Sequence, residues 1–520
     1  MAIKLNKDES LFRNDLIFTV DAKSVNIDNT LVNLFMLLSH NGSRPKQLAR
    51  AGNKVIMDIG RIKDIFTGLE NTTDEVKGFK DNPEGVELWI RSNLVNMVYR
   101  GNNDKEKISS LRPIHLESYR VRNVANTRDY NTADQVYLML GCNPAVKEEL
   151  KNFLMEGWDA KTKKIYLNND LDVDSLGLLH LIKNIDPGFQ TSSSSLNQIE
   201  PLLKKQAELY CDDVRRLLVY KRLIPRNVLI DYLKTITSFH LSLYIQKLIH
   251  VLPKMVEQGT TEVEDDWQIV LDATDNFESK IAAIAAEDVG LLMNNIYDYI
   301  KATFQINATL RRLGMDKTNS ANLDKALKIL KDQPQDFELY FEMQWNTLYS
   351  ALDDEDKLLI SDLVTYKSSF FDLYTEYILK ARGGYQYRFH IELLDRLAQK
   401  NNERGFMAQG RSQKHPRRFV LGTRLLETLV QILVLETKDS KFVTKSLSIE
   451  ALIAKLKDRY GLIINGLPEE RFKDVDVHTH LAFKENVEAF KQKLRQIGFY
   501  NDLSDAYILQ KIRPRYELKA

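Results

Sequence analysis

The sequence predicts a mainly α-helical, multi-domain protein with a winged-helix-like α+β module at its C-terminal end. Three observations support this prediction. Apolar residues recur at spacings of three to five positions through much of the chain, a pattern typical of helices that pack on other helices. The chain has 520 residues, which exceeds a single domain of about 100–200 residues. Beyond residue 400, amphipathic helices alternate with short strand-like runs, which indicates a mixed module.

The composition excludes several classes of protein. Hydrophobic residues make up 43% of the chain and charged residues 28%, close to globular averages, so extensive disorder is not expected. Lys and Arg together number 73 and Asp and Glu 72, so only a local cluster can indicate a polyanionic partner. The two cysteines, Cys142 and Cys211, exclude a disulfide framework and a zinc site of the usual Cys type. We predict no cofactor.

Nothing in the sequence indicates contact with a membrane. The first residues, MAIKLNKDESLFRNDL, lack the apolar region of a signal peptide. The most apolar long stretch, 228–256, is interrupted by Asp231, Lys234 and Lys247. These features predict a cytoplasmic protein that does not bind a membrane.

A polar stretch, FQTSSSSLNQ at 189–198, is the clearest linker in the chain and predicts a domain boundary. We therefore expect an N-terminal, mostly helical domain at 1–190, a helical core domain at 199–400 and the winged-helix-like module at 404–520. In the first domain the patterns predict helices near 57–69, 83–99, 143–154 and 172–185, and a strand at 162–167. In the second they predict two long helices separated near Pro225, a strand within WQIVLDATDN (267–276), and helices at 276–313, 321–332, 336–351 and 355–382.

The C-terminal module is predicted from alternating helix and strand signals. The stretch 421–435 has one apolar face, and a short strand follows at Phe442. Ser448 is positioned to cap a second helix, which Gly461 ends. A strand at 462–464, a helix at 483–497 and a basic, strand-like C-terminal run complete an order that is compatible with a winged helix.

Local charge indicates one candidate nucleic-acid-binding region. Between 401 and 430 there are six Lys or Arg residues and two carboxylates. Arginine binds phosphate through two parallel hydrogen bonds, so such a cluster suits a nucleic-acid backbone. We predict phosphate contacts, with DNA preferred to RNA, from the cations of this region and of the C-terminal run: Arg404, Arg411, Lys414, Arg417, Arg418, Arg424, Arg513 and Arg515. The alternative is a surface loop whose charges pair with carboxylates elsewhere.

Glycines and aromatic residues strengthen the same hypothesis. Glycines in and just before the region would let the backbone approach a phosphate closely. Aromatic side chains can stack on the bases of a single strand. Phe406 and Phe419 lie within the region, and Tyr385 and Tyr387 precede it beside Arg388.

The segment FKDVDVHTH (472–480) raises the question of a metal site. If it is extended, Asp474, Asp476, His478 and His480 share one face. Four consecutive positions on one face span too far to bind a single ion together. We therefore expect a polar, exposed strand or loop and predict no metal site.

A second acidic group follows the strand predicted in the middle of the chain. Asp272, Asp275 and Glu278 have the arrangement by which many hydrolases hold a magnesium ion. No GxxxxGK[ST] or GxGxxG motif accompanies them. An acidic first turn of the next helix explains the same residues. A divalent-metal-dependent nuclease or hydrolase is therefore an alternative function.

Three C-terminal segments resemble known proteins: RFVLGTRLLETLVQILVLE, SIEALIAKLKDRYGLII and LRQIGFYNDLSDAYILQKIRPRY. They are similar to the C-terminal parts of bacterial proteins encoded in phage-defence gene clusters, which combine DNA modification with accessory proteins. The resemblance lies within residues 418–516 and includes no catalytic motif. It implies an accessory, DNA-associated subunit of a multi-protein system, and it transfers no active-site residue.

These observations leave three functional hypotheses. The first is a non-enzymatic DNA-binding or scaffolding subunit of a bacterial multi-protein system, with both nucleic-acid and protein partners. The second is the metal-dependent nuclease or hydrolase that uses Asp272, Asp275 and Glu278. The third is a helical subunit that binds only protein. No catalytic residue is predicted under the first hypothesis.

Overall fold

In a computed structural model the chain is mainly helical, as predicted, and its short strands lie in pairs. The structure describes residues 5–47, 58–71, 77–98, 107–166, 171–184, 189–190, 195–361, 365, 369–412, 414–439, 441–500 and 511–518. The chain forms two units. The large unit comprises Met1–Ser24, Ile199–Gln206 and Ser238–Ala520, and the small unit Val25–Gln198 and Ala207–Thr237. The predicted segments 199–400 and 404–520 both contribute to the large unit, and the predicted domain limits stay a prediction.

The small unit combines helices with short antiparallel strand pairs. Its helices are α1 (Ile27–Ser39), α2 (Ile59–Glu70), α3 (Pro83–Trp89), α4 (Thr132–Gly141), α5 (Pro144–Met155) and α6 (Val173–Asn184). Its strands are β1 (Lys46–Gln47), β2 (Val95–Val98), β3 (Lys107–Leu111), β4 (Trp158–Asp159), β5 (Lys164–Ile165) and β6 (Phe189–Gln190), paired as β1 with β6, β2 with β3 and β4 with β5. Aromatic and aliphatic side chains from α2, α3, α6 and the β2–β3 pair form one hydrophobic cluster of this unit.

One helix predicted for this unit is too long. The pattern predicts a helix over 83–99, but α3 ends at Trp89, a π-helical turn covers Ile90–Leu94, and β2 begins at Val95. Val95 and Val98 favour a strand, and β2 pairs with β3 in antiparallel register, so tertiary pairing decides the conformation here.

The remaining helices follow the predicted order, except that the single helix predicted at 355–382 is wrong: one helix ends at Leu359, and another begins at Phe370, where Ser369 caps it, and continues to Leu397. They are α7 (Lys204–Leu218), α8 (Arg226–Gln258), α9 (Lys280–Arg312), α10 (Ala321–Asp332), α11 (Gln335–Ser350), α12 (Asp354–Leu359), α13 (Phe370–Leu397), α14 (Thr423–Leu433), α15 (Ile449–Tyr460) and α16 (Val477–Gln496). The break near Pro225 is confirmed, because α7 ends at Leu218 and α8 begins at Arg226. None of the helices in the described ranges is long and apolar enough to cross a membrane.

The centre of the large unit is a set of short strands beside α9. The strand β7 (Ile269–Val270) pairs in parallel with β13 (Leu462–Ile463). Just after β7, Asp272 forms a parallel bridge to Val420. Val420 follows β9 (Arg418–Phe419), which pairs antiparallel with β8 (Met407–Ala408). The strand predicted within WQIVLDATDN is thus confirmed and lies between two neighbours from the C-terminal part of the chain.

The C-terminal part contains several predicted signals but no confirmed winged helix. Ser448 caps α15 by accepting a hydrogen bond from the Ala451 N–H, and Gly461 ends it with φ 73°. The hairpin β10 (Leu435–Lys438) and β11 (Lys441–Thr444) precedes α15, and β12 (Leu447–Ser448) pairs with β14 (Lys511–Ile512). The winged-helix arrangement is not confirmed, because β13 pairs with a strand from the middle of the chain. Residues 501–510, where the basic C-terminal run begins, lie outside the described residues.

The segment FKDVDVHTH is not an extended strand. Asp476 caps α16 by accepting a hydrogen bond from the Thr479 N–H at 2.7 Å, so His478 and His480 lie in the first helical turn. The capping carboxylate decides this conformation, and the helix begins six residues before the predicted start at 483.

Candidate nucleic-acid interface

Most of the predicted cations lie in or beside one loop, residues 409–418, here called the basic loop. It connects β8 to β9, and the pair Ala408 with Arg418 closes its base. The Gln409 N–H donates to Asn401 Oδ1 at 2.8 Å, which holds the first residue of the loop. The basic loop is therefore a hairpin connection built on the central strands of the large unit.

Arg418, at the base of the loop, forms a buried ion pair. Its side chain is 4% exposed and that of Asp272 0%, and Arg418 Nε donates to Asp272 Oδ2 at 2.7 Å. The other oxygen of Asp272 accepts hydrogen bonds from the Thr274 N–H at 2.8 Å and the Thr274 hydroxyl at 2.6 Å. Both oxygens of the Asp272 carboxylate thus have hydrogen-bond partners, and the ion pair with Arg418 links β9 to the segment after β7.

The ring of Phe277 covers this ion pair. The Arg418 guanidinium carbon lies 4.0 Å from the centre of the Phe277 ring, within the range of a cation–π contact. His415 stacks on the same Phe277, with ring centres 4.7 Å apart and an angle of 17° between the planes. A Cβ at Gly410 would lie 2.7 Å from the His415 Cβ, so glycine is needed where the loop folds over His415. Phe277 therefore holds the loop at two points.

Arg417 is tied to the end of α13. Its Nε and Nη2 donate to the two carboxylate oxygens of Asp395 at 2.9 and 3.0 Å, which is a bidentate ion pair. Lys400 also pairs with Asp395. Arg417 therefore acts as a second anchor of the basic loop.

The tip of the loop differs from its base. Arg411, Ser412 and Lys414 are exposed, and the Lys414 N–H donates to Ser412 Oγ at 3.2 Å in a local turn. Arg411 and Lys414 form no ion pair with any residue that the structure describes. Residue 413 lies outside the described ranges. The tip thus presents two cations on a base held by Arg417, Arg418 and His415.

The other predicted cations divide in the same way. Arg424 and Arg515 converge on the buried carboxylate of Glu427, with Arg424 Nη1 at 3.0 Å from its Oε2. Arg515 Nη2 also donates to the Ile497 carbonyl oxygen at 2.8 Å. Arg404 is half-buried, and Arg513 is exposed without an ion pair to any described residue. The structure does not bring the eight residues onto one surface patch.

The three carboxylates of the alternative hypothesis have other partners. Asp272 binds Arg418 and Thr274, as described above. Asp275, with φ 55°, pairs with Lys493 Nζ at 2.9 Å, and Glu278 lies exposed just before Ser279, the cap of α9. No group of three or more His, Cys, Asp or Glu that could hold a metal ion occurs among the residues that the structure describes. Asp272 and Asp275 are thus both in ion pairs, and the pair of Asp272 with Arg418 anchors the loop.

Sequence reasoning missed the partners of the anchors. Asp272 was a candidate metal ligand, and neither Phe277 nor Asp395 stood out. The only available signal was the mixture of aromatic and acidic residues in 272–278, which does not identify Arg418 as the partner 146 positions away.

Fold and site together define a helix-rich protein of two units, in which ion pairs and a strand pair hold the base of a cationic loop. A protein-family model described as Methylation-associated defense system protein MAD7 matches residues 7–516. The chain therefore belongs to this family and is a component of a methylation-associated defense system. A search of curated proteins gives no match. The defence-system association implied by the C-terminal resemblance is confirmed, but the similarity covers nearly the whole chain rather than its C-terminal part alone.

Proposed function

We propose that this protein is a non-enzymatic, DNA-binding subunit of a bacterial methylation-associated defence system, and that the tip of the basic loop contacts the phosphate backbone. One observation carries the proposal. Arg411 and Lys414 are exposed and form no ion pair with the residues that the structure describes, on a loop whose base is anchored by Arg417 and Arg418. An exposed cation that has no carboxylate partner among the described residues is suited to an external anion.

The physical basis of such binding is release of counterions. Each phosphate neutralised by a cation makes the slope of log affinity against log salt steeper, that is more negative, by about 0.9 for duplex DNA. Two phosphate contacts from the cations at the tip give a modest affinity that falls as salt is raised. Such contacts position a protein on DNA without selecting a base sequence.

The test is a titration of fluorescently labelled duplex DNA followed by anisotropy, at salt concentrations from about 50 to 200 mM. We expect Arg411→Ala with Lys414→Ala to weaken binding several-fold and to reduce the salt slope by about 2, roughly one for each lost contact. The matched control is Lys325→Ala with Lys328→Ala, which removes two exposed cations from α10 in the same unit.

The control should leave both the affinity and the slope unchanged. An equal loss in the two double variants would show that only net charge matters. No binding by the wild-type protein at low salt would rule out the proposed function.

A second candidate function is protein scaffolding, for which α11 provides the observation. Leu339 and Met343 lie one turn apart on this helix and are 53% and 70% exposed. Neighbouring exposed apolar side chains favour contact with another protein more than isolated ones do. If this role is correct, Leu339→Ser with Met343→Ser should abolish co-purification with another component of the system while leaving DNA binding intact.

A further inference from the structure

We infer that one face of α13, together with Tyr297 of α9, is a binding platform for single-stranded DNA. This face, the α13 platform, comprises Tyr297, Gly384, Tyr385, Tyr387 and Arg388. It is separate from the basic loop. The inference rests on the proposed DNA-binding role, but it assigns a different surface and a narrower class of ligand.

The first observation is a stack of aromatic rings at the surface. Tyr297 and Tyr387 lie with ring centres 4.6 Å apart and an angle of 17° between the planes. Tyr297 is 44% exposed and Tyr385 47%. Exposed tyrosines of this kind offer a face on which a base can stack, and stacking accepts any base. The aromatic geometry therefore favours an unpaired strand over a duplex, whose bases are already stacked.

The second observation is positive charge around these rings. Lys23 Nζ lies 4.6 Å from the centre of the Tyr385 ring and 3.7 Å from that of Phe389, and the Arg388 guanidinium carbon lies 5.0 Å from the Phe389 ring. Arg388 is exposed and forms no ion pair with any described residue. Rings beside cations match the alternation of bases and phosphates along a strand.

The third observation is a pair of glycines in the middle of a helix of 28 residues. A Cβ at Gly383 would lie 3.0 Å from Leu379 and 3.7 Å from Tyr297, so packing within the protein explains this glycine. Among the described residues, a Cβ at Gly384 would meet nothing within 4 Å, and the position is exposed. The helix surface next to Tyr385 and Tyr387 is therefore open at Gly384, and a strand bound to these rings can approach the backbone closely there.

Gly384→Ala is an informative variant, because thermal stability and affinity for single-stranded DNA should change in opposite directions. In Gly384→Ala, the added methyl group has room in the free protein and strengthens the helix, so the thermal midpoint should stay equal or rise. The same methyl group lies where the strand approaches, so affinity for labelled oligo-dT should fall at least several-fold. Gly68→Ala in α2 is the matched control, since Gly68 is also an exposed helical glycine at which an added Cβ would have no described residue within 4 Å.

The stacking surface is tested separately with Tyr387→Ala and Tyr385→Ala. Loss of a stacked base corresponds to roughly a fivefold to hundredfold weaker affinity. We expect losses in this range for oligo-dT and little change for duplex DNA in both variants. Phenylalanine at either position should preserve binding, because the ring face is kept.

The outcomes separate this inference from the proposed function. Duplex binding that depends on the loop tip, combined with oligo-dT binding unaffected by Gly384→Ala and the tyrosine variants, overturns the α13 platform alone. Oligo-dT binding that depends on the platform, without any effect of Arg411→Ala and Lys414→Ala on duplex DNA, overturns only the loop-tip proposal. If oligo-U binds more tightly than oligo-dT, or if Gly384→Ala impairs only binding of a protein partner, the assignment to single-stranded DNA is wrong.

Discussion

The base and the tip of the basic loop carry the same kinds of residue but have opposite roles. At the base, Arg417 and Arg418 each donate to a carboxylate, whereas at the tip Arg411 and Lys414 have none among the described residues. The difference lies entirely in residues far along the chain, Asp395 and Asp272. Local charge density therefore indicates that a loop is cationic, but the partners decide which cations remain available to a ligand.

The largest loss of stability is expected for Arg418→Ala. The substitution leaves the Asp272 carboxylate, 0% exposed, without its cation. Breaking a buried ion pair by removing one partner lowers the free energy of unfolding by about 3–5 kcal/mol. Urea unfolding of wild type and variant measures this directly.

The control is a double-mutant cycle with Asp272→Ala. If the two side chains act as a pair, the double variant should lose less stability than the sum of the single variants. Strict additivity, or a loss below about 1 kcal/mol for Arg418→Ala, would show that Arg418 is not an anchor.

The second prediction concerns the scaffold below the loop and uses pH rather than a change at the loop. Burial lowers the pKa of His390 on α13 from 6.5 to about 4, and its ring lies 5.1 Å from Phe12 and 5.4 Å from Tyr299. Between these pH values the unfolded chain takes up a proton that the folded protein does not. Titration of His390 therefore leaves the free energy of unfolding unchanged above pH 6.5 and lowers it by about 3 kcal/mol as the pH falls toward 4.

This pH dependence is measured as the free energy of unfolding of wild type and His390→Gln from pH 7 to pH 4. The difference between the two curves isolates one group from all others that titrate in this range. Parallel curves would mean that the pKa of His390 is the same in the folded and the unfolded protein.

Local signals in the sequence were sufficient for much of the fold. Ser448 and Gly461 mark the ends of α15 because a side-chain cap and a left-handed residue act within a few positions of themselves. The same kind of argument failed at residues 95–98, where pairing with β3 outweighs the helical pattern before it. It also failed at Asp476, where the pattern predicts a polar, exposed strand or loop but the carboxylate caps a helix.

The candidate site was predictable only as a region. A count of charges finds the basic loop, since all its cations are close in sequence. It cannot separate Arg418 from Arg411, because the carboxylate that neutralises Arg418 is 146 positions away and that of Arg417 is 22 positions away. The α13 platform could also be predicted from the sequence only in part. Tyr385 and Tyr387 were visible in the sequence, but only the helix packing places Tyr297 against Tyr387.

A smaller effect is expected for the outer anchor, Arg417. Its side chain is partly exposed, and Asp395 keeps Lys400 as a partner when Arg417 is removed. Arg417→Ala should therefore lower the free energy of unfolding by about 1 kcal/mol, clearly less than Arg418→Ala. Arg417→Lys tests the geometry, because lysine keeps the charge but cannot form the bidentate ion pair. Equal losses in Arg417→Ala and Arg418→Ala would contradict the distinction between an outer and a buried anchor.

The smallest effect on stability is expected at the tip, where substitutions test directly whether the tip and the base of the loop have different roles. Arg411→Glu with Lys414→Glu should change the free energy of unfolding by no more than about 0.5 kcal/mol, because neither side chain has a partner to lose among the described residues. The same variant should bind DNA more weakly than the double alanine variant, since it adds repulsion from phosphate, and the gap should narrow as salt is raised. A tip variant that unfolds as easily as Arg418→Ala would mean that the tip is part of the scaffold. A stable tip variant with undiminished binding would move the DNA contact elsewhere, and the α13 platform would then be the first surface to test.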